Sequence, residues 1–191
     1  MKVASLKARM FNRAASNPKN KPGEVLEALG LKRGEWVADI GSGGGFFSLR
    51  FAAVVGRSGR VFAVDVDPGM LEFIKATARG SGLANIETVL SRGGELALPE
   101  RSIDLVFVRN VYHHLTDRVE YFRRLRRFLK PAGRIAIIEY KGVKPLTFRG
   151  LFRHYVPRET IIEEMGKAGY EVSQEFTFLP EQSFIIFRAT N

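Results

Sequence analysis

Two groups of residues in this 191-residue chain combine residue type and spacing in a way that could support chemistry. The first is a glycine-rich stretch, Asp39-Ile40-Gly41-Ser42-Gly43-Gly44-Gly45, which lies between two apolar runs. Its glycines let a ligand approach the backbone closely. Asp65 ends the next apolar run, and a carboxylate there can accept hydrogen bonds from two ribose hydroxyls. Together these residues predict a site for an adenosine-like ligand.

The second group is Tyr112-His113-His114, which follows the apolar run Ile103 to Val108. Ligands of α/β enzymes bind at the carboxyl ends of such strands, and an imidazole there could accept a proton from a reacting group. A pair of histidines at this point could equally shape the pocket and cap the next helix. We predict no metal site, because adjacent side chains on a turn diverge and the chain has no cysteine and only one other histidine, His154.

The elements that must position these residues follow from hydrophobic periodicity and from Gly and Pro punctuation. Apolar helices are predicted after Pro22, after the glycine loop and after Asp67, and a basic helix is predicted from Thr116 to Lys130. The predicted strands are Trp36 to Ile40, Arg60 to Asp65, Ile86 to Leu90, Ile103 to Val108, Arg134 to Glu139, Tyr170 to Phe178 and Ser183 to Arg188.

The glycine loop differs from the dinucleotide fingerprint G-x-G-x-x-G, whose last glycine would fall on Phe46. Its actual pattern, Asp39-x-Gly41-x-Gly43-x-Gly45, resembles the first motif of the class I S-adenosylmethionine-dependent methyltransferases. The run from Leu129 to Arg134 resembles the turn before the fifth strand in that superfamily. The segment from His154 to Phe184 looks like a small subfamily similar to the type 11 small-molecule methyltransferases.

The resemblance implies an α/β fold with a doubly wound, mostly parallel seven-stranded sheet (Rossmann-like) and a C-terminal antiparallel hairpin. It also implies S-adenosyl-L-methionine as the cofactor, with the methionine carboxylate at the amino end of the helix that follows the loop. The cofactor-binding residues implied in this way are Asp39, Gly41, Ser42, Gly43, Gly45, Asp65, Val66, Met70, Gly94, Glu95 and Asn110.

Three of these assignments have open alternatives. Val66 and Met70 could pack on the adenine or belong to the core. Related enzymes carry Gly-Asp-Ala where this chain has Gly93-Gly94-Glu95, so either Glu95 or a backbone group would contact the adenine amino group. Asp67 is expected to cap the helix that begins at Pro68, and not to hold the ribose.

The expected reaction is an in-line displacement of the methyl group by an acceptor atom. A hydroxyl or protonated amine acceptor needs a base, for which we expect His114 first and His113 second, with Tyr112 or Tyr155 orienting it. A thiolate or soft anion would need none. The lack of an Asn/Asp-Pro-Pro-Tyr motif disfavours an adenine or glutamine acceptor, and the lack of cysteine disfavours arsenite.

Composition bounds the organisation of the chain. With 45% hydrophobic residues, residues 22–191 are expected to form a single methyltransferase domain, preceded by a basic arm or lid at residues 1–21. The absence of cysteine suggests a reducing compartment, and we expect a cytoplasmic protein. The N-terminal residues contain no apolar core of a signal peptide, and no run is long enough to cross a membrane.

The net charge of +10 suggests either an anionic partner or a generally basic surface. We expect a small-molecule acceptor and no membrane partner. Two alternatives remain open, namely RNA or protein methylation through the basic surface and a non-catalytic module that senses the cofactor. The sequence leaves the oligomeric state open.

Overall fold

The computed structural model describes residues 2–92, 95–142 and 155–190, with side chains from Ser5 onward. Its seven strands form one sheet in the order β3-β2-β1-β4-β5-β7-β6, which confirms the predicted fold class. The strands are β1 (Trp36–Ile40), β2 (Arg60–Asp65), β3 (Ile86–Leu90), β4 (Ile103–Arg109), β5 (Leu129–Tyr140), β6 (Tyr170–Phe176) and β7 (Gln182–Ala189).

The described helices cover most of the predicted ones. They are α1 (Lys2–Ala15), α2 (Pro22–Leu29), α3 (Phe46–Val55), α4 (Pro68–Gly80), α5 (Arg118–Leu125) and α6 (Arg158–Lys167).

The chain divides into two compact units, of which the first is Met1–Pro99. Its strands β1, β2 and β3 are all parallel neighbours. Helices α3 and α4 pack against these strands, so the strands are apolar along nearly their whole length, as expected for a parallel sheet covered by helices. Asp67 caps α4 by accepting a hydrogen bond from the amide of Gly69, with Pro68 at the first helical position.

The second unit is Glu100–Asn191. Here β4 and β5 are parallel, and the β6–β7 hairpin adds to β5 in antiparallel orientation. The predicted C-terminal hairpin is therefore confirmed. Helix α6 packs on both α5 and β6, and Ile161 and Met165 of α6 are fully buried.

The basic helix is shorter than predicted. It ends at Leu125, continues as a single 3₁₀ turn over Arg126–Phe128 and becomes strand β5 at Leu129. Pro131 disfavours helical backbone at the preceding residue, and the pairing of β5 with β4 shifts register in this region. The extended backbone thus starts before the predicted Arg134.

The N-terminal segment, for which the sequence left a lid and a loose arm open, contains the regular helix α1. It packs against α3 and α4 within the first unit. Among the described residues, no helix has the length and apolar character needed to cross a membrane.

Candidate functional site

The glycine loop and Asp65 are joined by a direct hydrogen bond. The backbone amide of Gly43 donates to Oδ2 of Asp65 at 2.8 Å, and the amide of Asp67 donates to Oδ1 at 3.0 Å. A carboxylate has about four acceptor positions, so these two bonds fix its orientation and leave capacity for further donors. The loop and the carboxylate lie together at the carboxyl ends of β1 and β2, as the sequence predicted.

The glycines of the loop differ in how much room a side chain would have at each position. Gly41, Gly43 and Gly45 all have positive φ angles, which glycine adopts without steric cost. A Cβ on Gly45 would lie 2.6 Å from Cγ1 of Ile74, and one on Gly44 would clash with the backbone oxygen of Ala8. Gly45 and Gly44 therefore permit close packing of protein on the loop. Only an ordinary contact with Phe11 would be made at Gly43.

Two features of the loop suit an anionic or polar ligand. Helix α3 begins at Phe46, after the cap residue Gly45, with no side-chain cap and no acidic residue in its first turn, and the amino end of a helix carries a partial positive charge. The Oγ of Ser42 is buried without a hydrogen-bond partner among the described residues. These features fit the carboxylate and ammonium end of an amino-acid-bearing cofactor.

Asp39 is 4% exposed, and its Oδ2 accepts a hydrogen bond from Oγ of Ser48 at 2.5 Å. This bond ties the end of β1 to the first turn of α3. The carboxylate is thus placed beneath the loop, where it holds the loop in shape.

The remaining predicted cofactor residues of the first unit differ in accessibility. Val66 is 74% exposed directly after Asp65, whereas Met70 is 1% exposed in the core. An adenine contact is therefore open to Val66. Glu95 is exposed and forms an isolated antiparallel bridge with Arg92, and Gly94 lies outside the described residues.

Helix α1 covers the loop. The side-chain amide of Asn12 donates to the backbone oxygen of Gly44 at 2.9 Å, and Nζ of Lys7 pairs with Oδ2 of Asp67 at 3.0 Å. The Lys7 hydrogen bond lowers the pKa of the Asp67 carboxyl below its usual value. Asn12 was not among the predicted residues, since a single polar residue in a basic helix gives no signal of a contact with a distant loop.

In the second unit, His113 forms a buried pair with Glu139. Nδ1 of His113 lies 2.9 Å from Oε2 of Glu139, and the two side chains are 6% and 0% exposed. The backbone amides of His113 and Tyr140 also donate to this carboxylate. Because a carboxylate accepts hydrogen bonds, the favoured tautomer of His113 carries its proton on Nδ1 and a lone pair on Nε2.

Glu139 was not among the predicted site residues. A signal was present in the sequence, because the apolar run from Ile135 to Ile138 is followed directly by a glutamate, Glu139. A carboxylate that ends a buried strand needs compensating donors, and the donors are supplied by His113 and two backbone amides.

His114 is exposed, and its ring centroid lies 4.1 Å from that of His113. The His114 amide donates to the backbone oxygen of Val111 in a short 3₁₀ turn over Tyr112–His114. The two imidazoles thus occupy different environments: one is paired with a buried carboxylate, and the other is open to solvent.

Tyr112 is fully buried, and its hydroxyl donates to Oε2 of Glu164 at 2.8 Å. Arg118 makes a two-point contact with the same carboxylate. Burial, together with the Glu164 bond, raises the pKa of Tyr112 above its usual range, so the phenol stays protonated. The contacts of Tyr112 therefore anchor the histidine turn to α6.

Asn110 has a positive φ of 55°, a conformation that Asn tolerates better than most residues. Its Oδ1 accepts a hydrogen bond from Nε2 of Gln182, and its amide nitrogen lies 3.4 Å from the hydroxyl of Tyr140. The backbone therefore turns sharply at the carboxyl end of β4. Among the described residues, no group of three His, Cys, Asp or Glu side chains could hold a metal ion.

The chain is similar to known methyltransferases in sequence and in fold. The methyltransferase-domain family matches residues 38–137. The ubiquinone/menaquinone biosynthesis C-methyltransferase UbiE of Cronobacter sakazakii is 27% identical over 165 residues, which cover 83% of this chain and 65% of that protein. UbiE of Escherichia coli is 28% identical over 139 residues, covering 70% of this chain and 55% of that protein. The chain thus spans less than two thirds of the length of these relatives.

Among solved structures, a SAM-dependent methyltransferase from Aquifex aeolicus matches with a TM-score of 0.85 at 24% identity, covering 94% of this chain and 95% of that one. The [4+2]-cyclase SpnF matches with a TM-score of 0.69 at 16% identity, covering 84% and 76% of the two chains. At these identities the likeness shows the fold. The second structure carries a different activity on that fold, so the reaction must be argued from the site.

Proposed function

The chain belongs to the methyltransferase-domain family of class I S-adenosylmethionine-dependent enzymes, and from this premise we propose that it methylates a small-molecule acceptor. The observation that carries the cofactor-binding part of this proposal is the hydrogen bond of 2.8 Å between the Gly43 amide and the Asp65 carboxylate. It holds an acidic side chain beside a glycine-rich backbone that a ligand can approach closely. That arrangement suits a ribose with an amino-acid tail.

Each part of the loop has a role in this proposal. Asp65 would accept hydrogen bonds from the ribose hydroxyls, and the backbone amides at the start of α3 would bind the cofactor carboxylate. Val66, which is 74% exposed, packs on the adenine. Asp39 keeps the loop in register through Ser48, since their bond ties the strand to the helix on either side of the glycines.

The bound cofactor supplies a methyl group on a positively charged sulfur, which is an electrophile without further activation. The protein therefore needs to position the acceptor atom and, for a hydroxyl or ammonium acceptor, to remove its proton. Positioning of this kind can lower a barrier by about 7–11 kcal/mol.

We assign the proton acceptor to Nε2 of His113. Glu139 accepts the Nδ1 proton at 2.9 Å, which leaves the lone pair on Nε2 and stabilises the imidazolium that forms when His113 takes a proton. This is the role that a buried carboxylate plays toward a catalytic histidine in hydrolase triads. The sequence ranked His114 ahead of His113, and the contacts of Glu139 favour the reverse order.

The small-molecule assignment rests on charge and on the relatives. Several basic side chains of the second unit are neutralised within the fold: Arg118 pairs with Glu164, Arg123 with Glu120, and Arg158 with Glu175. These three arginines are thus engaged within the fold and are less available to RNA. The named relatives act in ubiquinone and menaquinone biosynthesis, which makes precursors of that kind the first acceptors to try.

The test is a transfer assay with S-adenosylmethionine labelled on its methyl group. The protein is incubated separately with a metabolite extract, with quinone precursors and with total RNA. Label in an organic-soluble product supports the proposal. Label in RNA favours the macromolecular alternative, and cofactor binding with no labelled product from any pool favours a sensor.

A further inference from the structure

Helix α1 presents a solvent-exposed face that its role over the loop does not explain. Leu6 is 71% exposed and Met10 is 61% exposed. They are four residues apart and therefore neighbours on one side of the helix. Arg9 and Arg13 are also exposed and fall on the same side, at positions i+3 and i+7 from Leu6.

The opposite face of α1 is committed to the protein. Ala8 is fully buried, the side chain of Asn12 binds the backbone of Gly44, and Lys7 binds Asp67. Phe11 lies beside Gly43, 3.7 Å from where a Cβ on that glycine would be, and its side chain is 44% exposed. Helix α1 thus packs one face on the glycine loop and exposes its opposite face to solvent.

The outward face combines apolar side chains with positive charge. Helix α1 contains no acidic residue, and its basic residues are Lys2, Lys7, Arg9 and Arg13. Of the six large apolar side chains that are exposed among the described residues, three belong to this helix. A short helix with Leu and Met on one side and arginines bordering them is the pattern of a helix that lies in a membrane interface.

Against the sequence-based expectation of no membrane partner, we propose that α1 docks this protein on an anionic lipid surface. Leu6 and Met10 enter the boundary between headgroups and acyl chains, and Arg9 and Arg13 contact lipid phosphates. The charge selects this occupant, because two arginines beside an apolar pair oppose association with a second copy of the same face. This docking is independent of the methyl acceptor. It would hold the protein at the membrane surface and does not need a membrane-spanning segment.

The experiment is co-sedimentation of the intact protein with vesicles of phosphatidylglycerol and phosphatidylcholine, compared with phosphatidylcholine alone. We expect binding to the anionic vesicles that weakens as salt rises, since screening reduces the attraction of the arginines. The double variant Leu6→Ser/Met10→Ser should bind at least roughly tenfold more weakly, because it buries less apolar surface in the bilayer. Arg9→Ala/Arg13→Ala should weaken binding at low salt by a similar factor, on the order of tenfold.

Two matched controls separate this surface from others. Val54→Ser removes an apolar side chain of the first unit that is 41% exposed, and Arg101→Ala/Arg127→Ala removes two exposed arginines of the second unit. Both should leave vesicle binding unchanged. A urea unfolding midpoint equal to that of the wild type shows that each variant is folded.

Several results would overturn the proposal. They are no binding to anionic vesicles, binding that Leu6→Ser/Met10→Ser does not weaken, and binding that only Arg101→Ala/Arg127→Ala removes. A dimer in sedimentation velocity that the Leu6→Ser/Met10→Ser variant disrupts, without any vesicle binding, would assign the face to a second copy of the chain.

Discussion

Nδ1 of His113 lies 2.9 Å from Oε2 of Glu139, with both side chains almost fully buried. Glu139→Gln keeps the shape of this contact but allows the amide to donate, which favours the other tautomer of His113. We expect the turnover number to fall by about 10²–10⁴-fold, the usual contribution of a general base, with little change in cofactor affinity. The measurement is steady-state kinetics with the acceptor found in the transfer screen.

A readout that needs no acceptor complements those kinetics. Side-chain ¹⁵N NMR of the histidines should show the proton of His113 on Nδ1 in the wild type and a changed tautomer in Glu139→Gln. His114→Ala serves as the matched control and should reduce turnover much less than His113→Ala. Equal or larger loss in His114→Ala would return the role of base to His114.

The second prediction concerns Gly44, because α1 approaches it more closely than a side chain at that position would allow. In Gly44→Ala the added Cβ would clash with the backbone of Ala8 and with the side chain of Asn12. Overpacking of this kind costs about 1–3 kcal/mol, so α1 should detach from the loop. Hydrogen exchange should then show faster exchange of α1 amides and unchanged exchange of the β1 and β2 amides.

Gly23→Ala is the control for this experiment, since nothing lies within 4 Å of a Cβ at that position. Alanine in α2 should be neutral or slightly stabilising. Equal protection of α1 in Gly44→Ala and the wild type would mean that the close approach to Gly44 does not hold the helix.

The Glu164 network gives a pH-dependent prediction. Burial raises the pKa of Glu164, but the hydrogen bonds from Arg118 and Tyr112 outweigh it, so the net pKa is below the usual 4.5. The ionised form is therefore stabilised by folding, and its contribution is complete above the unfolded-state pKa and lost as the pH falls through the lower folded-state value. Glu164→Gln should lower the free energy of unfolding by about 1–3 kcal/mol at pH 7.

Urea unfolding at pH 7 and pH 3 measures this effect, and the difference between Glu164→Gln and the wild type should shrink at the lower pH. Glu163→Gln is the control on the same helix, because Glu163 makes an exposed pair with Lys167 and should matter little at either pH. A difference for Glu164→Gln that stays constant with pH would show that the carboxylate charge does not stabilise the fold.

Much of the fold was predictable because it depends on local patterns. The strands Trp36–Ile40 and Arg60–Asp65 have the predicted bounds, since parallel strands covered on both faces are continuous apolar runs. The basic helix was harder, because Tyr121, Phe122, Leu125, Phe128 and Leu129 continue a helical apolar stripe past the point where tertiary packing ends the helix at Leu125.

The site was predictable only where chemistry and spacing coincide. The proximity of Asp65 to the glycine loop followed from the order of strand, loop and strand. The pairing of His113 with Glu139 joins the turn after β4 to strand β5, 26 positions apart, and no local pattern predicts which residue His113 contacts. The residue type of Tyr112 suggested chemistry, and the sequence did not predict that its hydroxyl would be bonded to Glu164.

The most direct test of the account is calorimetric titration of S-adenosylhomocysteine into the wild type, Asp65→Asn and Asp65→Ala. We predict binding by the wild type, a loss of roughly tenfold or more in Asp65→Asn, and no measurable binding in Asp65→Ala, because charge-assisted hydrogen bonds to the ribose are removed. Asp67→Asn, which alters the neighbouring cap, should bind nearly as the wild type does. An Asp65→Ala protein that is folded and binds with an unchanged dissociation constant would contradict the assignment of the site.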